Sequence, residues 1–260
     1  MPTTTNGIFY EVHGDGPTTV VMLPGLGCSI EAWRGVVPLL AGYRLILMDL
    51  PGHAGSRGAT ADGSSLATIT RPLLEACDEL GLERYAVVGL SFGGAIGVRF
   101  ALDRPDRVFA TMALMPWPAS GTHPGDPIMQ TLYDTYGDID AVTHIVELLS
   151  LDRSRTTDVL HTMSREVTEE FWRSWYGRGV YTSITTDLEG LTVPVCYMIG
   201  GKDAIAPQDK LIADVRDIPG GRLVYLSDVG HLAPYEAPEL VAPEIHEFVG
   251  RYAGVSATAR

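Results

Sequence analysis

The chain has 260 residues, 45% of them apolar, and a formal net charge of −13. This length suits one large α/β domain with an insertion, or at most two domains. The acidic balance argues against nucleic acid and against an anionic membrane surface as partners.

In chain order, residues 7–13 alternate apolar and polar side chains and predict an edge strand. Residues 19–23 predict a second, buried strand that runs into the glycine-rich loop 24–29. A helix is expected near 32–40. Residues 43–49 predict a third strand, ending in Asp49-Leu50-Pro51-Gly52-His53-Ala54-Gly55-Ser56. Residues 65–80 have helical spacing, and Gly81 stops them. Residues 85–90 form a Val-rich run suited to a strand buried on both faces. Then Gly89, Gly93 and Gly94 crowd one turn around Ser91, and a helix is expected from 95 to 102. Residues 108–115 predict another buried strand. A serine at such a strand-to-helix turn has its hydroxyl pushed out of the sheet, towards the free N–H groups of the following helix.

The strand-helix rhythm breaks after Met115. Residues 116–192 lack buried Val/Ile runs and predict helices at 127–136, 139–151, 156–163 and 168–176. The stretch holds three of the 4 Trp: Trp117, Trp172 and Trp175. An insertion this long, helical and aromatic reads as a lid over the strand ends. Trp117, Met129, Trp172, Trp175 and Tyr176, with Leu232 beyond it, are its candidate substrate-pocket residues. The rhythm returns with a strand at 195–200, a helix at 208–216, a strand at 222–226 and a closing helix at 239–252; residues 253–260 are expected to fray. The fold expectation is α/β: a doubly wound, mostly parallel sheet with flanking helices and a helical lid inserted after the sixth strand. Residues 1–115 and 193–260 form its core domain, and 116–192 its cap.

Parallel-sheet sites form at the carboxyl ends of strands. Two further residues stand where Ser91 does. Asp203 follows the strand at 195–200, and His231 follows the last strand. The three make chemical sense together: a serine hydroxyl needs a base, a histidine supplies one near neutral pH, and a carboxylate orients the histidine. Asp228 is a competing acid and His53 a competing base, although His53 reads better as tying its own loop. His13, His123, His144, His161 and His246 have no motif around them. The three cysteines, Cys28, Cys77 and Cys196, are widely spaced and imply no disulfide framework; Cys28 reads as pocket lining. No residues cluster at metal-ligand spacing.

The order Ser91, Asp203, His231, with Asp49-x-Pro51-Gly52-His53, Gly200-x-x-Asp203 and Gly230-His231 followed by Glu236-x-Pro238, resembles the α/β-hydrolase fold superfamily nearly end to end. The resemblance implies an oxyanion hole from the backbone N–H groups of Leu26 and Phe92. It implies that Glu236 anchors the histidine loop. Two positions depart from the family pattern: Pro24 stands where His is usual, and Ala54 where Gly is usual. The function expected is a serine hydrolase of a small carboxylic ester, lactone or similar acyl compound, without cofactor or metal. Alternatives are a carbon–carbon bond hydrolase acting on vinylogous 1,5-diketones and a ligand receptor on the same fold. A diketone substrate calls for a cation, with Arg153, Arg155, Arg165, Arg173 and Arg178 as candidates. The partner is a small acyl substrate, with no nucleic acid or membrane. The N-terminus lacks a basic segment followed by an apolar one, and no apolar run reaches spanning length, so a cytoplasmic monomer or homodimer is expected.

Overall fold

The computed structural model describes residues 2–60 and 62–254. The expected fraying of the tail falls on 255–260, outside the described residues; Ala253 ends the last helix.

Seven strands form one sheet: β1 (Tyr10–His13), β2 (Thr18–Leu23), β3 (Tyr43–Met48), β4 (Tyr85–Leu90), β5 (Val108–Leu114), β6 (Val195–Gly200) and β7 (Arg222–Leu226). Their order is β1-β3-β2-β4-β5-β6-β7. Only β1 runs antiparallel, against β3. The unbroken apolar runs lie where the sheet is covered on both faces: every residue of β4, β5 and β6 is buried. Nine α-helices are described: α1 (Leu66–Glu79), α2 (Phe92–Asp103), α3 (Pro127–Asp134), α4 (Ile139–Leu149), α5 (Thr157–Arg165), α6 (Glu169–Gly177), α7 (Gln208–Asp217), α8 (Ala233–Glu236) and α9 (Pro238–Ala253). Helix α1 starts on a capping box, with Thr68 N–H donating to Ser65 Oγ and Ser65 N–H to Thr68 Oγ1. Helices α2 and α9 pack on β5, and α7 on β6.

Three expectations change. The helix expected at 32–40 is two 3₁₀ turns, Ile30–Trp33 and Val37–Leu39. The break falls at 34–36, around Gly35, which weakens a helix interior, and Pro38 just beyond it lacks an N–H, so helical spacing of the apolar residues is not enough. The insertion follows the fifth strand, not the sixth. The five strands expected before it, at 7–13, 19–23, 43–49, 85–90 and 108–115, are all present as β1 to β5, so the ordinal and not a strand is what changes. The loop after His231 contains a short helix, α8, and the closing helix starts at Pro238.

Registers place the strand ends level. Leu23 pairs with Gly89, Leu90 with Leu114, and Leu114 with Met198. The loops after β2, β4, β5 and β6 therefore leave the sheet along one edge. Helices α3 to α6 arise from the chain between β5 and β6, at that same edge.

Candidate active site

Ser91 sits between β4 and α2 with φ 51° and ψ −114°. A serine adopts such a conformation only when its surroundings enforce it. Its N–H donates to Leu114 O at 2.7 Å, and its carbonyl accepts from Trp117 N–H at 3.1 Å. Strand and helix are pressed together at this turn. A Cβ on Gly89 would lie 2.1 Å from Gly93 O, and one on Gly93 would lie 2.4 Å from Pro24 O. Both positions demand glycine because backbone fills the space. Helix α2 begins at Phe92, three residues earlier than the spacing indicated, so its first-turn N–H groups start immediately after Ser91.

The side chains of Ser91, Asp203 and His231 meet in one line. His231 Nε2 lies 2.8 Å from Ser91 Oγ, and Nδ1 lies 2.8 Å from Asp203 Oδ2. Asp203 Oδ1 accepts from the N–H groups of Ile205 at 2.8 Å and Ala206 at 3.0 Å. Burial pushes the Asp203 carboxyl up. The hydrogen bond and charge of His231, with the two N–H donors, outweigh it and hold the group below the usual aspartate range. A carboxylate so fixed selects the tautomer with Nδ1–H and leaves Nε2 free to accept the serine proton.

The other titratable candidates lie elsewhere. Asp228 is exposed, paired with Lys202 Nζ at 3.1 Å and accepting from Ser227. His53 is fully buried, hydrogen-bonded through Nδ1 to Pro51 O at 3.0 Å, and burial lowers its pKa to about 4. It holds its loop and reaches further: it bridges to Val167, and its ring stands edge-on to Phe171 at 4.6 Å. Glu236 also acts across segments. Its Oε1 accepts from Ser150 Oγ, Leu151 N–H and Asp152 N–H at 2.6–2.9 Å, so it ties the end of the histidine loop to the chain after α4. Cys28 is buried in the cavity wall, and burial pushes its thiol up to about 12. Among the described residues no group of His, Cys, Asp or Glu is arranged to hold a metal ion.

Ser91 and His231 open into a cavity of about 430 Å³. Leu26 and Phe92 line it beside them, and Gly25 brings the β2 loop close enough that a Cβ there would touch Ser91 Cβ at 3.4 Å. Of the expected pocket residues, Trp117, Met129, Trp175, Tyr176 and Leu232 line the cavity. Trp172 does not. It is buried among α3 and α6, donating from Nε1 to Leu132 O at 2.6 Å and packing on Tyr136 and Tyr176. Trp175 instead packs on Phe92 at 4.4 Å and meets Trp117 at 5.9 Å. Helical spacing cannot separate the two tryptophans, since positions three apart share a face. None of the five arginines considered above lines the cavity; Lys210 does. Ile145 and Leu149 from α4 and Met163 from α5 also line it. The i, i+4 spacing of Ile145 and Leu149 was the available sign of them.

Comparison with known proteins agrees with this fold. A family profile described as alpha/beta hydrolase fold matches residues 18–143. A 2-hydroxy-6-oxononadienedioate/2-hydroxy-6-oxononatrienedioate hydrolase from Dechloromonas aromatica is 30% identical over 252 residues, 88% of this chain and 86% of that protein. Among solved structures, the enol-lactonase from Burkholderia xenovorans LB400 superposes with a TM-score of 0.81 at 20% identity, covering 94% of this chain and 96% of that one. A thermophilic esterase from Thermogutta terrifontis gives 0.83 at 22% identity, covering 95% and 94%. The fold, the matching profile and a relative aligned over most of both chains lead to one conclusion: this protein belongs to the α/β-hydrolase fold family and is an enzyme of it.

Proposed function

We propose that this enzyme is a serine hydrolase that cleaves a small carboxylic ester, lactone or related acyl compound through an acyl-enzyme on Ser91. The observation that carries the reading is the unbroken line from Asp203 Oδ2 through both nitrogens of His231 to Ser91 Oγ, with 2.8 Å at each end. In the first half-reaction Ser91 Oγ attacks the carbonyl carbon while His231 Nε2 takes the hydroxyl proton. The N–H groups of Leu26 and Phe92 hold the developing oxyanion. His231 then gives the proton to the leaving alkoxide. In the second half-reaction water attacks the acyl carbon, His231 takes the water proton, and Ser91 recovers it as the acid leaves. Asp203 stays ionised throughout and steadies the imidazolium. The helical segment 116–192 serves as the cap, and its Trp175 closes the apolar side of the cavity against Phe92. In this reading the enzyme needs no cofactor and works as a cytoplasmic monomer or homodimer on a small molecule.

Ser91→Ala is expected to abolish turnover of p-nitrophenyl acetate, a loss of roughly 10⁴-fold or more, while circular dichroism and the unfolding midpoint stay unchanged. Undiminished turnover in that variant refutes the assignment.

A second reading rests on the Dechloromonas relative, whose name describes hydrolysis of a dienedioate. Here the same three residues cleave a carbon–carbon bond of a vinylogous diketone, and the cation such a substrate needs is Lys210. A panel setting simple esters against ring-cleavage diketones separates the two. Faster turnover of the diketones by about tenfold or more selects the carbon–carbon reaction.

A further inference from the structure

Outside the residues assigned to bond cleavage, charged groups in the cavity wall are few. Lys210 and Asp126 are the Lys, Arg, Asp and Glu side chains that line it among the described residues. The remainder of the wall is largely apolar, with Leu132, Ile145, Leu149, Met163, Trp175 and Tyr176 from the cap. A cation in such a wall has a large effect on which molecules enter, because little else competes for an anion.

Lys210 is unusual in this chain. It carries 19 Lys and Arg together, of which Lys202 and Lys210 are the lysines. Lys202 pairs with Asp228 at 3.1 Å. Among the described residues Lys210 is in no ion pair within 4 Å, although it lies in an acidic molecule. Its surroundings are fixed. One turn further along α7, Asp214 accepts the Ala119 N–H at 2.8 Å, which seats the chain after β5 against this helix. That carboxyl is pushed up to about 6, chiefly by burial, while Lys210's charge acts in the opposite direction. Asp126, the opposing charge in the wall, already accepts the Ile128 N–H at 2.8 Å as the cap of α3. Lys210 itself is exposed at the rim, so its ammonium is hydrated and reaches an entering ligand without being stripped of water first.

We propose that Lys210 is a specificity-determining residue that holds one carboxylate on the substrate, remote from the carbonyl that meets Ser91. The substrate class is then an acyl compound with a single anionic group, such as a half-ester of a dicarboxylic acid or a lactone bearing one acid. A second carboxylate finds no further lysine or arginine in the described wall and meets Asp126 instead. The assignment rests on the serine-hydrolase reading for the position of the scissile carbonyl. The net charge of −13 repels anions at long range, and one cation at the cavity offsets that locally.

The test compares monomethyl adipate with methyl hexanoate, esters of equal acyl length that differ in a terminal carboxylate. The ratio of their kcat/KM values is measured for the native enzyme, Lys210→Met and Lys210→Arg, at low and high salt. The expected result is a preference for the half-ester that falls about tenfold in Lys210→Met. The loss appears in KM, is largely restored in Lys210→Arg, and shrinks with salt in the native enzyme. An equal ratio in native enzyme and Lys210→Met overturns the proposal. A calorimetric arm titrates monomethyl adipate into Ser91→Ala and into Ser91→Ala with Lys210→Met. If neither ester is turned over by native enzyme, the hydrolase reading fails and this arm still decides. Binding lost with Lys210 supports the carboxylate site, and no binding, or equal binding in both proteins, removes it.

Discussion

Ser91 and Ala54 both hold positive φ, 51° and 40°, and for different reasons. At Ser91 the constraint comes from packing of β4 against α2, and it aims the hydroxyl at His231. This position was legible in the sequence because glycines two residues to either side, Gly89 and Gly93, are needed where backbone meets backbone. Ala54 is the position where the family pattern has Gly, and its φ gives the reason for the preference. An alanine there costs about 1–2 kcal/mol of left-handed strain, against which glycine costs less than 1 kcal/mol in the unfolded chain. Ala54→Gly is therefore expected to stabilise the protein by about 0.5–1 kcal/mol, read as a rise in urea midpoint with an unchanged slope. A fall in the midpoint contradicts the account of this loop. Pro24, the other departure, leaves the backbone of the loop free to serve, since Leu26 still lines the cavity beside Ser91. Lys210 was invisible to motif reading. It belongs to no pattern, and only the path of α7 brings it to the cavity.

Elements of the inserted segment are joined to the core by a few specific contacts. Ala54 N–H donates to Glu166 O and Thr168 N–H to Gly52 O, which lays the chain before α6 along the His53 loop. Glu236 does the same for the chain after α4. The sequence reading placed His53 and Glu236 in structural roles but confined each to its own loop, because partners 84 or more residues distant leave no local signature. Helix α6 divides its aromatics between two tasks. Trp172→Ala is expected to lower stability by about 3–5 kcal/mol, through lost packing between α3 and α6. Trp175→Ala is expected to act on catalysis as well, raising KM for apolar esters about tenfold, because it borders the cavity and covers Phe92. Matched urea titrations and steady-state kinetics on the two variants check this; an unchanged KM in Trp175→Ala contradicts it. The strands were legible because buried parallel strands carry unbroken apolar runs. The 32–40 stretch misled because its apolar spacing is helical while Gly35 and Pro38 together weaken an α-helix there.

For the whole molecule, acid sensitivity follows from where its buried groups sit. His53 is held neutral by burial, with a pKa near 4 against about 6.5 when unfolded. Between these values the unfolded chain binds the extra proton, so the contribution of His53 to stability is complete above about pH 6.5 and is lost as pH falls towards 4. The shift corresponds to about 3 kcal/mol. Asp49 works in the opposite sense. Burial raises it to about 7 although Ile30 and Gly55 N–H groups donate to it, so its contribution is present at low pH and falls as pH rises through that value. Comparing native protein with His53→Gln cancels Asp49, which both retain. Whatever its absolute stability, the variant is expected to lose about 2–3 kcal/mol less than the native protein between pH 7 and pH 4, measured by urea unfolding. Equal losses contradict the buried-neutral assignment.

Convergence of three side chains from loops after β4, β6 and β7 is the core of the functional account, and covalent trapping tests it most directly. Treated with an alkyl fluorophosphonate and examined by intact-mass and peptide mass spectrometry, the native enzyme is expected to gain one adduct, on Ser91. Ser91→Ala is expected to gain none. His231→Ala is expected to react at least about a hundredfold more slowly, because the hydroxyl has lost its base. An adduct on another residue, or labelling of His231→Ala at the native rate, contradicts the account.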